Sequence, residues 1–133
     1  MKTERPLVLL VEDDQDTAVL YTALLAAEGM EVACCRDGHQ TLHWWNRSQR
    51  RPDLVVLDVS LPDGDGLELL KKLKSLAMSC PPVLVLSAHG DPRMPGRCRD
   101  LGVGMFLDKL KDLNHFVTSA KGLLASFPSS QTK

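Results

Sequence analysis

The 133-residue sequence has few of the features that mark secreted, metal-bridged or disulfide-bonded proteins. Its cysteines form no CxxC pair, and no histidine lies near them at the spacing of a zinc site. His39 and His43 lie four residues apart without a third ligand nearby, so we interpret them as a polar helix face. We expect the four cysteines to be reduced, structural thiols: Cys34, Cys35, Cys80 and Cys98.

The sequence also lacks an excess of charge and any long apolar run. Its 16 Lys and Arg residues stand against 17 Asp and Glu, so no broad basic field is available for nucleic acid. The first apolar run, Leu7–Val11, is too short for a signal peptide or a membrane span. We therefore expect a cytoplasmic protein with no direct nucleic-acid or membrane partner.

The length and the 44% hydrophobic content are enough for one compact core and too small for two. No internal repeat or linker divides the chain. We expect a single domain over residues 1–133, with a core at about 6–127 and a disordered polar tail at 128–133.

Short apolar runs alternate with longer helical patterns along the chain. The runs predict buried strands at Leu7–Val11, Glu31–Cys35, Leu54–Leu57, Val83–Leu86 and Met105–Leu107. The spacing of apolar residues predicts helices at Asp14–Glu28, His39–Ser48, Gly66–Leu76 and Leu113–Phe127. This alternation is typical of an α/β, doubly wound parallel sheet, in which ligands bind beyond the carboxyl ends of the strands.

Reactive side chains follow four of the five predicted strands. They are Glu12, Asp13 and Asp14 after the first strand, Asp58 after the third, Ser87 after the fourth, and Asp108 and Lys109 after the fifth. Carboxylates that share one crevice repel each other unless a cation lies among them, and Mg²⁺ is commonly held by such groups. A carboxylate can also attack a phosphoryl group when donors such as a hydroxyl and a lysine neutralise the oxygens in transfer.

Each of these residues also has a plainer interpretation. Asp14 is better explained as the N-cap of the first helix than as a metal ligand. Asp63 and Asp65 in PDGDG are explained as turn residues, and the run lacks the spacing and final acid of a calcium loop. Ser87 or Lys109 alone would be an ordinary loop residue. Their occurrence together at neighbouring strand ends favours a functional site.

Four segments, LLVEDD, LVVLDVSLPDGDGLELL, VLVLSA and GVGMFLDK, together resemble the receiver domain of two-component response regulators over about residues 6 to 127. The resemblance implies a flavodoxin-like five-stranded sheet of order 2-1-3-4-5. It also implies that Asp58 is a phosphoacceptor for a histidine kinase or a histidine phosphotransfer protein. Pro62 and Gly66 match the loop that follows the acceptor.

The resemblance further implies a Mg²⁺ site and a conformational switch. The metal residues by position would be Glu12, Asp13, Asp58 and the backbone carbonyl of Ser60, with Glu12 acting largely through water. Ser87 resembles the hydroxyl that moves to the phosphoryl group, Phe106 the aromatic that follows it, and Lys109 the lysine that pairs with phosphate. The output surface would be the face of helix four, strand five and helix five, which would bind a downstream protein or a second copy.

Two departures from the family pattern predict local differences. Leu110 follows Lys109 where the family has a proline with a cis bond, and a cis bond to a non-proline costs about 3 kcal/mol more. We therefore expect a trans bond, or a strained cis one. Two prolines and two glycines within Gly90–Gly96 disfavour a helix, so we expect helix four to be short or irregular, around Arg97–Leu101.

Other functions remain open from the sequence. A degenerate receiver could act only as a protein-interaction module, although the full set of charged residues argues against that. A phosphatase with an aspartate nucleophile needs a second acid two residues later, where this chain has Ser60. A nucleotide or flavin site would need a glycine-rich loop after the first strand. We expect no enzymatic activity other than the domain's own phosphorylation and dephosphorylation. We also expect the chain to be a stand-alone receiver or an N-terminal domain.

Overall fold

Parallel strands alternate with helices through the computed structural model, which describes residues 5–77, 79–88 and 92–126. In chain order the elements are β1 (Leu7–Val11), α1 (Gln15–Ala27), β2 (Glu31–Cys35), α2 (Gly38–Arg47), β3 (Leu54–Asp58), β4 (Ser60–Leu61), β5 (Gly64–Asp65), α3 (Gly66–Leu76), β6 (Val83–Ser87), α4 (Met94–Asp100), β7 (Met105–Asp108) and α5 (Leu113–Ser126). The predicted tail and Phe127 lie outside the described residues.

The main sheet has the order β2-β1-β3-β6-β7, and its neighbouring strands are all parallel. Without the short β4–β5 hairpin, this is the predicted order 2-1-3-4-5. Every residue of β1, β3 and β6 is buried, as expected for strands that helices cover on both faces. The predicted flavodoxin-like fold is therefore confirmed, and β1, β3 and β6 end at the centre of one sheet edge.

Side chains alternate between the two faces of each strand and so build two cores. Leu9 and Val11 pack in the core beneath α2, α3 and α4, around the fully buried Trp45. On the other face, α1 and α5 pack through Tyr21 and Phe116, whose ring centroids are 4.5 Å apart. Burial of each large side chain contributes roughly 2 kcal/mol, so the two layers hold the strand ends firmly.

Aspartates begin the first three helices. Asp14 accepts a hydrogen bond from the Thr17 amide at 2.9 Å, which confirms the predicted N-cap of α1. Asp37 caps α2 in the same way. Asp65 caps α3 and therefore does more than form a turn.

Helix α4 is short, as predicted, but it begins at Met94, about one turn before the expected start at Arg97. Pro95 lies within the first turn of the helix. A backbone N–H has no partner inside the helix there, so its loss costs little. The predicted start at Arg97 was wrong for this reason. Pro92 precedes the helix, and Asp91 lies outside the described residues.

The Lys109–Leu110 bond is trans, as predicted, because no peptide bond in the described ranges is cis. Leu110 has a φ of 64°, in the left-handed region that branched and bulky side chains rarely adopt. Its backbone N–H donates to the Tyr21 hydroxyl at 2.9 Å. The loop that carries Lys109 is thus built differently from one that contains proline.

The cysteines, all within the described ranges, are free thiols. Burial raises the pKa of Cys35 to about 11, so this thiol stays protonated in the core. Cys34, which we expected to be a structural thiol, lies on the edge strand β2 and is exposed. None of the helices in the described ranges has the length and apolar character needed to cross a membrane.

Candidate functional site

Asp58 is the last residue of β3, the central strand of the sheet, and its side chain is 97% buried. One carboxylate oxygen, Oδ1, accepts a hydrogen bond from the Ser60 amide at 3.0 Å. The other, Oδ2, accepts one from Lys109 Nζ at 2.9 Å. The carboxylate is therefore fixed in orientation by a loop amide on one side and a cation on the other.

Glu12 follows β1 and is fully buried beside this carboxylate. Its Oε2 accepts hydrogen bonds from Lys109 Nζ and from the Asp14 amide, each at 3.0 Å. Burial raises the pKa of Glu12 and outweighs the lowering effect of these hydrogen bonds. Its Oε1 is buried and has no hydrogen-bond partner within the described part of the chain. A buried acceptor of this kind calls for a further donor or a cation.

Lys109 lies just after β7 and joins the two acids. Its amide donates to the Ser87 carbonyl at 2.7 Å, which fixes the start of the loop. Burial alone would lower the pKa of Lys109, but the hydrogen bonds to Asp58 and Glu12 outweigh it and raise the pKa to about 12. The amine therefore stays charged throughout the physiological pH range.

Carboxylate oxygens of Glu12, Asp13 and Asp58 lie within 4.8 Å of one another. One ammonium group, that of Lys109, contacts two of these three acids. The excess of negative charge, the oxygen-only donor set and the unpartnered Oε1 of Glu12 all suit a hard divalent cation such as Mg²⁺. The residues present therefore fit a magnesium site.

The loop after Asp58 turns sharply back toward α3 and depends on glycine. A Cβ added at Gly66 would lie 2.2 Å from the Asp58 carbonyl oxygen. The Gly66 amide also donates to the Val59 carbonyl at 2.6 Å. Only glycine fits so close to the backbone of the central carboxylate.

The other predicted residues lie around this crevice. Ser87 ends β6 and is buried, next to Asp108 in the register of β6 and β7. Phe106 lies on β7, and its side chain is 39% exposed at the surface. Ser60 lies in β4, where its amide holds Asp58; the role of its carbonyl as a metal ligand stays a prediction.

Two loop aspartates do more than the sequence suggested. Asp63 accepts hydrogen bonds from the Gly38 and His39 amides, at 2.9 and 3.0 Å, and these bonds lower its pKa. Asp65 accepts from Arg97 of α4 at 2.8 Å. The loop that follows Asp58 is thereby tied to the start of α2 and to α4. No local pattern reveals these contacts, because the partners lie 24 to 32 residues away.

The sheet order and the buried acid–lysine cluster define a flavodoxin-like α/β domain with an acidic crevice at the ends of its central strands. The family model described as the response regulator receiver domain matches residues 8–121. The chain therefore belongs to the receiver domains of two-component response regulators.

Curated relatives are longer than this chain. Transcriptional regulatory protein PrrA of Mycobacterium tuberculosis is 34% identical over 129 residues, which cover 96% of this chain and 53% of PrrA. The KDP operon transcriptional regulatory protein KdpE of Escherichia coli is 35% identical over 102 residues, or 77% of this chain and 44% of KdpE. The chain thus spans about half the length of these relatives.

Solved structures of receiver domains share the fold. The signal receiver domain of a putative LuxO repressor protein from Vibrio parahaemolyticus superposes with a TM-score of 0.82, at 28% identity and with 92% of both chains covered. A putative response regulator from Chloroflexus aurantiacus gives a TM-score of 0.81 at 28% identity, with 92% of this chain and 99% of that chain covered.

Proposed function

We propose that this receiver domain accepts a phosphoryl group on Asp58, in a Mg²⁺-dependent reaction, from a histidine kinase or a histidine phosphotransfer protein. The observation that carries the proposal is the contact of Lys109 Nζ with both Asp58 and Glu12, at 2.9 and 3.0 Å, beside Asp13. A buried acid without a chemical role would not need three further charged groups around it.

The transfer itself is a substitution at phosphorus. A carboxylate oxygen of Asp58 forms the new O–P bond while the P–N bond to the donor imidazole breaks. The imidazole nitrogen leaves with the electron pair of that bond. In our proposal the Lys109 amine, now 2.9 Å from Asp58 Oδ2, pairs with the phosphoryl oxygens. The Ser87 hydroxyl donates a hydrogen bond to one of these oxygens.

Glu12, Asp13, Asp58 and the Ser60 carbonyl would hold Mg²⁺. When bound, Mg²⁺ would supply positive charge that stabilises the negative oxygens during transfer. Glu12 offers the unpartnered Oε1 for this purpose, through an intervening water in our proposal. Lys109 keeps two of the acids oriented before the metal binds.

Phosphorylation would then change the output surface, since a phosphoryl group adds charge and acceptor oxygens. We expect Ser87 to move toward the phosphoryl group and Phe106, now exposed, to move inward with it. The face of α4, β7 and α5 would in turn bind a downstream protein or a second copy, in the cytoplasm. A phosphorylated structure with Ser87 and Phe106 unmoved would contradict this switch.

Two other functions are less well supported. A receiver that only binds partners would have no use for the complete set of acids and lysine, and its family relatives are described as regulators of transcription. A phosphatase would need a general acid two residues after Asp58, and Ser60 does not provide one. Any hydrolysis of the Asp58 phosphoryl group would act on the domain itself.

The test is the intact mass of the protein after incubation with Mg²⁺ and acetyl phosphate, with and without chelator. We expect one added phosphoryl group on the wild type and none on Asp58→Asn or in chelator. Asp63→Asn is a matched control, because it changes a nearby loop aspartate whose carboxylate accepts hydrogen bonds from the Gly38 and His39 amides. Beryllofluoride binding detects an acceptor whose phosphoryl group is short-lived. No adduct and no beryllofluoride binding by the folded protein would refute the proposal.

A further inference from the structure

The segment after Lys109 adopts a conformation that needs outside support. Leu110 has a φ of 64°, although it carries a Cβ and a branched side chain. Such a conformation persists only where surrounding contacts hold it. Leu110 is 48% exposed, so packing of its side chain supplies little of the support.

Two hydrogen bonds hold this backbone. Within the turn, the Lys111 N–H donates to the Asp108 carbonyl at 3.4 Å, and the other bond comes from outside the turn. The Leu110 N–H donates to the Tyr21 hydroxyl oxygen at 2.9 Å, across 89 residues of sequence. Tyr21 lies in α1 and is 1% exposed, and its ring is fixed against Phe116 of α5 at a centroid distance of 4.5 Å. The hydroxyl is therefore a rigid acceptor, held by the helix layer rather than by the loop.

Lys109 is thus fixed on both sides along the backbone. Its own N–H is held by the Ser87 carbonyl at 2.7 Å, and the next N–H is held by the Tyr21 hydroxyl. Between these two bonds the side chain extends to Asp58 and Glu12. We infer that Tyr21 is a positioning residue, whose hydroxyl holds the Leu110 backbone so that the Lys109 amine reaches Asp58.

The effect of Tyr21 on the rate of phosphorylation rests on the proposed phosphoryl transfer to Asp58. Catalytic geometry is sensitive, since a displacement of about 1 Å far from the reacting atoms can slow a reaction by roughly a hundredfold. Tyr21→Phe removes one hydrogen bond and leaves the ring in place, so the expected effect is smaller. Tyr21→Phe should slow phosphorylation of Asp58 by about three- to tenfold.

Tyr21→Phe separates positioning from packing, because it keeps the ring against Phe116 and removes only the hydroxyl. Thr41→Val is the matched control: it removes another fully buried hydroxyl, in α2 on the opposite face of the sheet. We would measure the phosphorylation rate with acetyl phosphate and Mg²⁺ for the wild type, both variants, Lys109→Ala and the double variant Tyr21→Phe/Lys109→Ala. Lysine-labelled protein would also give the ¹³Cε signal of Lys109 by NMR.

If Tyr21 acts through Lys109, Tyr21→Phe slows the wild type but has no further effect on Lys109→Ala, while Thr41→Val matches the wild type. Tyr21→Phe also moves the Lys109 signal toward the signals of exposed lysines. An equal slowing in both backgrounds, an unchanged rate in Tyr21→Phe, or an equal slowing by Thr41→Val would overturn the inference.

Failure of the proposed function gives a different result. In that case the wild type itself accepts no phosphoryl group. The ¹³Cε signal of Lys109 then tests the positioning role of Tyr21. The same signal is used if Lys109→Ala reacts too slowly for its rate to be measured. A shifted Lys109 signal in Tyr21→Phe supports the inference, and an unshifted signal refutes it.

Discussion

Substitution of Gly66 tests how tightly the loop is built around Asp58. In Gly66→Ala the new methyl group would lie 2.2 Å from the Asp58 carbonyl oxygen and 3.0 Å from the Val59 Cα. Cβ contacts closer than 3.0 Å essentially never occur, so the backbone must move by about 0.8 Å. Both neighbours are backbone atoms and cannot rotate away. The strain therefore falls on the segment that carries Asp58.

Two effects follow from that displacement. Overpacking of this kind lowers the free energy of unfolding by about 1–3 kcal/mol. The better helix propensity of alanine offsets up to about 1 kcal/mol of that loss. The displaced carboxylate should also be phosphorylated about ten- to a hundredfold more slowly. Urea unfolding measures the first effect, and a time course of intact mass with acetyl phosphate measures the second.

Gly122→Ala is the control, because a Cβ at Gly122 in α5 meets no atom within 4 Å. We expect it to leave the phosphorylation rate unchanged and to stabilise the domain by about 0.5–1 kcal/mol. If Gly66→Ala unfolded at the same urea concentration as Gly122→Ala and reacted as fast, the argument from close packing would be refuted.

Three more substitutions test the charges and the loop. Lys109→Met should destabilise the domain by about 2 kcal/mol at pH 7. The loss should be smaller near pH 5, because Lys109 lowers the pKa of Glu12, so that without Lys109 the folded variant takes up a proton on Glu12 at a higher pH than the folded wild type does; urea unfolding at both pH values measures this. Asp63→Asn should be less stable than the wild type at pH 7, and the difference should vanish as the pH falls below 3.8 through the lowered pKa of Asp63, since the stabilisation needs the carboxylate; equal acid sensitivity of both proteins would contradict this. Leu110→Pro should lower stability by about 2 kcal/mol, because proline fixes φ near −65° and has no N–H for Tyr21; an unchanged melting temperature would show that the loop rearranges freely.

The strands and the acidic crevice could be predicted because their signals are local. The apolar run before Asp58 indicates a buried strand, and the rule that ligands bind at the carboxyl ends of parallel strands brings Glu12, Asp58 and Lys109 together. Each step needs only the residues of one strand and its end. The Asp14 cap was predictable for the same reason.

The supports of the site could not be predicted in this way. Asp63 and Asp65 look like ordinary turn residues until the fold places α2 and α4 beside them. The early start of α4 places Pro95 within the first turn, and composition does not resolve the three positions between the expected start at Arg97 and the observed start at Met94. Tyr21 did carry a signal, because a buried tyrosine needs a hydrogen-bond partner for its hydroxyl, but the sequence does not identify Leu110 as that partner.

The contacts of Lys109 span most of the chain, reaching Asp58 across 51 residues and Glu12 across 97. During synthesis, Asp58 leaves the ribosome well before the lysine that completes its surroundings. Such non-local contacts form late, when loop closure has been achieved. A nascent or partly unfolded chain would therefore contain Asp58 without the amine beside it. Under the proposed function, only a domain whose β7 end has been made and has docked would accept a phosphoryl group at the full rate.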